Sequence, residues 1–447
     1  MNKIRLLWTA MRSSLWFLPS LMVACSAVLA VVLIEADSSV IDMWLSRWPR
    51  LFGAGADGAR GMLSTIAGSM MSVVGVTFSM TLVALALASS QYSSRVLHNF
   101  MGSRVTQGVL GIFAGIFTYC LIVLRTIRSG NEGEFVPNLA VFFGFLLALG
   151  GVGVLIFFIH HIASSIQASS ILAAVAQETL ETMDRIFPEK LGQGPGDHDE
   201  EPALRSTAER NWRIVPAGET GYIQSVDNAG LLRVARDRKT IVRMERGIGE
   251  FVVRNTALAS LALEDPPDPE TIAALRETFG ISRYRTMEQD AAFGIRQIVD
   301  VALKALSPGI NDTTTAVMCV DYLSAILARL APRQVPSSRR YEEGELRVMT
   351  IGPTFASLLD EAFDQIRGSA KGNLAVMSRM LDALQTLAGL TAIASRRRAL
   401  REQVEWIAEL AGRTLESAYD RARIDTQLGR VREATEAGPG STMREQL

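Results

Sequence analysis

Apolar and polar positions are distributed very unevenly along this chain. Four stretches without a charged side chain fall in the first 160 residues: 13–34 (22 residues), 61–94 (34), 105–124 (20) and 135–159 (25). About 20 apolar residues cross a bilayer as a helix, so each stretch predicts a transmembrane helix. A cleaved signal peptide is the alternative for the first. Its apolar run is long for that, and no A-x-A-like site follows it.

Beyond the fourth stretch the pattern changes period. "IASSIQASSILAAVAQETLETMDRIFP" predicts a connecting helix that stops at Pro188, and "EKLGQGPGDHDEEPAL" predicts a linker, so residues 166–211 join two parts. Between 212 and 265, "GYIQSV", "LLRVA", "TIVRME" and "EFVVRN" are short β-prone runs separated by turn residues, which predicts a small β-rich domain. After "DPPDPE" the helical period dominates. "MEQDAAFGIRQIVDVALKAL", "TTAVMCVDYLSAILARL" and the segments 354–368, 371–393 and 396–430 predict a helical bundle over 266–432, and 433–447 reads as a disordered tail. The expected architecture is an α-helical membrane protein with four transmembrane helices in residues 1–165, followed by a soluble α+β region.

The second stretch is too long for the membrane alone, since 34 helical residues span about 51 Å against a hydrocarbon core of about 30 Å. Ser64, Gly68 and Ser72 recur along it every four residues, followed by Gly75 and Ser79. Small residues at that spacing make either a close helix–helix seam or, in an oligomer, a wettable pore face. No acid or base lies within this stretch, which argues against an intramembrane proton relay.

Charge adds orientation. Lys3, Arg5 and Arg12 precede the first span with no acid among them, and Arg95 and Arg104 flank the loop after the second. The opposite loops carry Arg47, Arg50, Arg60, Arg125 and Arg128, so the density beside the first helix decides for a cytoplasmic N-terminus. Four spans then put the C-terminus in the cytoplasm too, with the lipid bilayer as the main partner.

Candidate chemistry is sparse. The net charge of −1 argues against nucleic-acid binding. Cys25, Cys120 and Cys319 have neither a metal-site spacing nor a disulfide framework and read as small core residues. The four histidines include the adjacent His160 and His161, which point about 100° apart on a helix and cannot share a metal. Nucleophile-elbow, phosphate-loop, zinc-protease and dinucleotide motifs are all missing. "GIGEFVVRNTALASL" resembles the turn of a barrel-sandwich module, but no lysine stands at a hairpin tip to carry a swinging arm. Asp290 and Asp300, about 15 Å apart on one helix, are too distant for a carboxylate pair. The reading is therefore of a protein that is not an enzyme, without catalytic residues, metal or cofactor.

One polar break remains. "ALSPGINDTTTA" ends a helix at Pro308-Gly309 and starts another with Asn311 or Asp312 as N-cap, backed by Thr313, Thr314 and Thr315. Capping explains the pattern. The functional alternative is one polar cluster of Arg285, Gln289, Asp290, Arg296, Asp300, Ser307, Asn311, Asp312 and Thr313. Buried inside a bundle, these groups would have to satisfy one another or a ligand.

"SSQYSSRVLHNF", "FIHHIASSIQ", "GYIQSV", "RTMEQDAAFGIRQIVDVALKALSPGINDTTTA" and "LLDEAFDQIR" together resemble the bacterial DUF2254 family of predicted membrane proteins. The likeness runs over most of the chain, and "FGIRQIVDVALKALSPGIND" is its most specific part. The chain departs from the family at Ser93-Ser94-Arg95, where Ser-Pro-Arg is common. The resemblance implies four spans and a large soluble domain, and it implies no activity. Two functions fit: an oligomeric channel or transport-like protein of the bacterial inner membrane with a cytoplasmic regulatory domain, or a membrane-anchored sensor or scaffold. A homo-oligomer associating largely through the membrane region is expected, and the second function adds a small ligand or protein partner.

Overall fold

The computed structural model describes residues 16–36, 55–91, 104–128, 135–165, 167–187, 210–333, 335 and 337–436. The basic N-terminal residues, the 95–104 loop up to residue 103, the linker between 188 and 209 and the tail beyond 436 lie outside the described residues. The chain forms two compact units, Met1–Ser170 and Ile171–Leu447.

The first unit holds α1 (Phe17–Ala36), α2 (Ala56–Gln91), α3 (Arg104–Thr126) and α4 (Asn138–Ser165). Helix α3 packs against each of the other three. Its sequence explains that central place, because Gly111 and Gly115 lie one turn apart on the face toward α1. A Cβ at Gly111 would meet Met22 Sδ at 2.6 Å, and one at Gly115 would meet Ser26 Oγ at 2.5 Å. Tyr119, fully buried, donates its hydroxyl to the Ala140 carbonyl of α4 at 2.7 Å. Helix α2 turns Ala59, Leu63, Ala67 and Met70 into the unit. At about 1.5 Å per residue its 36 residues reach about 54 Å. Within this unit the close approach is on α3, and the Ser64/Gly68/Ser72 face of α2 points outward.

The second unit begins with α5 (Ala168–Ile186) and continues as a sheet-and-helix module and a bundle. The strands are β1 (Trp212–Pro216), β2 (Gly221–Val226), β3 (Val242–Met244), β4 (Phe251–Val252), β5 (Ala257–Ala262), β6 (Phe279–Ser282), β7 (Arg339–Glu342) and β8 (Glu345–Met349). They form a five-stranded sheet of order β1-β5-β3-β8-β7 and a three-stranded sheet of order β4-β2-β6. Among the described residues only β3 and β8 pair in parallel, with Val242 opposite Val348. Helices α6 (Asn228–Asp237) and α7 (Pro269–Glu277) pack with them over a core that includes Val215, Ile223, Leu231, Val242, Leu258, Leu261 and Leu275.

Two expectations change here. "LLRVA" lies in α6, not in a strand. The Asp227 carboxylate caps that helix by accepting the Gly230 N–H at 3.0 Å, and Leu231 and Ala235, four residues apart, make its buried face. Nor do the strands stop at residue 265. β6 follows α7, and the β7–β8 hairpin returns to β3 about a hundred residues later, turning at Glu343 and Gly344 with φ of +54° and +81°.

The bundle contains α8 (Ala291–Ala305), α9 (Thr313–Leu330), α10 (Phe355–Ser369), α11 (Leu374–Leu390), α12 (Ala394–Thr414) and α13 (Ala418–Glu436). The expected helix over 396–430 is broken, because Leu415 is extended and the Ser417 hydroxyl starts a new helix by accepting the Asp420 N–H at 3.3 Å. Helix α5 is bound to this bundle by a steric notch and by polar contacts. A Cβ at Gly294 would lie 2.0 Å from Thr179 Oγ1. Thr182 donates to the Met287 carbonyl at 2.8 Å, and buried Arg333 holds both Asp184 (2.6 Å) and the Phe187 carbonyl (2.8 Å). By length and composition five described helices qualify to cross a membrane, not four: α1, Ala56–Leu87 of α2, α3, α4 and α9.

Candidate functional site

Within the second unit, the β module and the bundle leave a cleft of about 1590 Å³ between them. Its wall combines the end of α5 (Arg185 to Phe187), the Gly247–Ile248 turn, the start of α8, β7, the Thr350–Ala356 segment and the start of α12.

The start of α8 is built around a buried ion pair. Asp290, 5% exposed, accepts the Phe293 N–H at 3.0 Å as N-cap and takes Arg285 Nε (3.0 Å) and Nη2 (2.7 Å) on its other oxygen. Burial pushes the Asp290 carboxyl above the usual carboxylate range, and the Arg285 guanidinium and the Phe293 N–H pull against it. The Arg285 guanidinium also lies over the Phe293 ring, 4.9 Å from its centroid. This pair explains the "GIG" turn. Gly249 has φ of +84°, and a Cβ there would stand 2.3 Å from Asp290 Oδ2 and 2.7 Å from Arg285 Nη2. Only glycine lets the turn close over the pair. Beside it, the Gln289 side chain accepts the Val226 N–H at 3.0 Å, tying α8 to β2.

The nine polar residues singled out from the sequence do not form one cluster. Arg285, Gln289 and Asp290 stand at the start of α8. Arg296 lies on its flank and pairs with Asp300 at 3.0 Å and with Glu361 of α10 at 3.2 Å. Ser307, Asn311, Asp312 and Thr313 lie past its other end, about 22 Å away along a 15-residue helix. There Asp312 caps α9, accepting the Thr315 N–H at 3.0 Å and the Thr315 hydroxyl at 2.5 Å, which hold its carboxyl below the usual range. Asn311 adopts φ of +50°, Ser307 donates to the Lys304 carbonyl at 2.6 Å, and Thr313 Oγ1 accepts from Asn373 at 2.9 Å. None of these four lines the cleft. A 15-residue rigid helix separates the two groups, so nearness in sequence does not become nearness in space.

On α2, Ser64, Gly68, Ser72, Gly75 and Ser79 all face outward, and a Cβ at Gly68 or Gly75 would meet no atom within 4 Å. At the end of α4, His161 stacks on Phe157 with centroids 5.9 Å apart. Among the described residues no three His, Cys, Asp or Glu side chains come together to hold a metal ion.

The cleft's arginines escaped the sequence reading. Arg185, Arg339, Arg340, Arg396 and Arg398 reach it from three separate elements. The one visible sign was the run Arg396-Arg397-Arg398 near the start of α12, where the positive end of the helix dipole disfavours bases. Two of the three have structural duties. Arg396 donates to the Leu330 and Ala331 carbonyls at the end of α9, and Arg397 to the Ala434 and Thr435 carbonyls at the end of α13.

Compared with known proteins, residues 12–386 match the family model described as "Predicted membrane protein (DUF2254)". An uncharacterized protein of Mycobacterium tuberculosis is 32% identical over 448 residues, a match covering 98% of this chain and 83% of the relative. An uncharacterized protein of Mycobacterium bovis matches with the same identity and the same coverage. No solved structure matches.

Proposed function

The chain belongs to the DUF2254 family of predicted membrane proteins, and on that premise we propose that it is a membrane-anchored sensor whose soluble unit binds a small ligand. The observation that carries this reading is the cleft of about 1590 Å³, with a wall of mixed apolar and charged side chains. Pockets that hold small molecules combine an apolar lining with a few convergent polar groups. We take the protein as a binding protein, not an enzyme. Helices α1 to α4 are its spans, and both termini are cytoplasmic at a bacterial inner membrane. Helix α9 is left out of the membrane because it carries Asp321, paired with Arg379, and Arg329, paired with Asp184 at 3.3 Å. Each charge in mid-membrane would cost about 2.5–3.5 kcal/mol on insertion scales.

The test is to fill the cleft with Ala292→Trp at the start of α8 and with Ala356→Trp at the start of α10, in the full chain in nanodiscs. A fluorinated fragment library screened by NMR should yield binders that both variants lose while keeping the native melting temperature. A native chain that binds no fragment in this cleft-dependent way sinks the reading.

A second reading, an oligomeric channel, is favoured by the outward Ser64/Gly68/Ser72/Gly75/Ser79 face of α2. Small residues there allow a second copy's helix to approach closely. Gly68→Leu should lower the assembled mass in mild detergent, and a native chain that is already monomeric there rules it out.

A further inference from the structure

We infer that the cleft takes an anion bearing phosphate groups, held between Arg340 of β7 and Arg398 of α12, an inference that rests on the cleft being a ligand site. Both arginines line it, from elements far apart in sequence. Neither has an acidic partner among the described residues. A third lining arginine, Arg185 at the end of α5, donates to the Thr182 hydroxyl at 3.0 Å and to no carboxylate in that contact. The acids of the wall are differently placed. Asp290 is held by Arg285, and Glu250 by Arg246 at 3.4 Å and by the Gly247 N–H at 3.1 Å, and neither of those arginines lines the cleft. Glu288 and Glu402 remain. The wall therefore offers guanidinium groups that are still available, while two of its four carboxylates are already satisfied from behind.

The start of α12 adds to this field. Ile393 provides no side-chain cap, and the first turn contains no acid. The N–H groups of that turn and the dipole behind them favour a negative charge. The other three helices that begin on the wall are capped, α6 by Asp227, α8 by Asp290 and α10 by the reciprocal Thr354 and Ser357 pair. Guanidinium groups bind phosphate oxygens through two parallel N–H donors, a geometry that a halide or a neutral ligand does not reproduce. Such a group could belong to a free molecule or to a lipid headgroup.

The probe is inorganic pyrophosphate, titrated by calorimetry into the full chain in phosphatidylcholine nanodiscs. Saturable binding is expected, weakened by a tenfold rise in salt. Arg340→Gln and Arg398→Gln should each weaken it about tenfold, since a charge-assisted contact is lost. The double variant should abolish it, and Arg423→Gln, an exposed change on α13 outside the cleft, should leave it unchanged. Repeating the titration in phosphatidylglycerol discs separates the sources. Competition there assigns the phosphate to a headgroup, and equal affinity assigns it to a free molecule. Absence of saturable binding, or binding that survives the double change, overturns the inference. If cleft-dependent fragments still bind in that case, only the ligand class fails; if they do not, the sensor reading falls with it.

Discussion

Helices α8 and α9 both start from an aspartate, and the two sites behave differently. Asp290 and Asp312 each accept the N–H three residues ahead at 3.0 Å, in nearly the same local geometry. Asp290 is buried with Arg285 against it and Gly249 above, and burial pushes its carboxyl up. Asp312 is half-buried, and hydrogen bonds from the Thr315 hydroxyl and from backbone N–H groups draw its carboxyl down. An identical cap thus carries different energetic weight according to what packs behind it. Loss of an exposed cap leaves backbone groups to water, whereas loss of a buried one strands a charge.

The largest test of that contrast is Asp290→Ala, which leaves Arg285 without its carboxylate in a mostly buried site. It should cost about 3–5 kcal/mol in denaturant unfolding of the full chain. A cost near that of an ordinary cap would mean that the pair is solvated. Next comes Gly249→Ala, which meets both a positive φ and the ion pair itself. About 1–3 kcal/mol of destabilisation is expected from the strained backbone and the displaced side chains. That loss should shrink when Asp290→Ala is already present, because one of the colliding groups is gone.

Asp312→Ala is expected to cost about 1 kcal/mol, the usual worth of an N-cap. A loss as large as that of Asp290→Ala would erase the distinction between the two sites. The finest test is the pH dependence, where the two residues should show opposite signs. The folded-state carboxyl of Asp312 is lowered, so its stabilisation is present above the usual carboxylate range and is lost as the pH falls below it. The melting-temperature gap between the native chain and Asp312→Ala should therefore narrow in acid. The folded-state carboxyl of Asp290 is raised, so the native chain gains stability relative to Asp290→Asn as the pH falls from above that range into it. Gaps that move in the same direction would show that the two environments are not opposed.

The membrane unit shows the same division between local and distant causes. Ser64, Gly68 and Ser72 were visible as a small-residue row, whereas Gly111 and Gly115, at the same spacing in "GIFAG", were not singled out. Only the second receives a neighbour, α1, in the fold. Spacing marks where a helix can be approached closely. Which row is approached depends on the helices that happen to lie beside it.

What the sequence determined by itself was whatever depends on near neighbours. The apolar runs of residues 13–34, 61–94, 105–124 and 135–159 carry their own preference for lipid. Asp312 caps the helix that it precedes, and Arg296 reaches Asp300 one turn away. These interactions close within four residues, so they survive in any surrounding. Tertiary structure alone decided the rest. "LLRVA" has both a strand composition and a helical face, and packing on β3 and β8 selected the helix that Asp227 caps. The β7–β8 hairpin joined β3 across about a hundred intervening residues, and that pairing brought Arg340 to the same cleft as Arg398. Gly249 met Asp290 and Arg285 in the same way, from a turn some forty residues earlier in the chain. Such contacts owe their stability to burial summed over distant segments, and no window of sequence contains both halves of that sum.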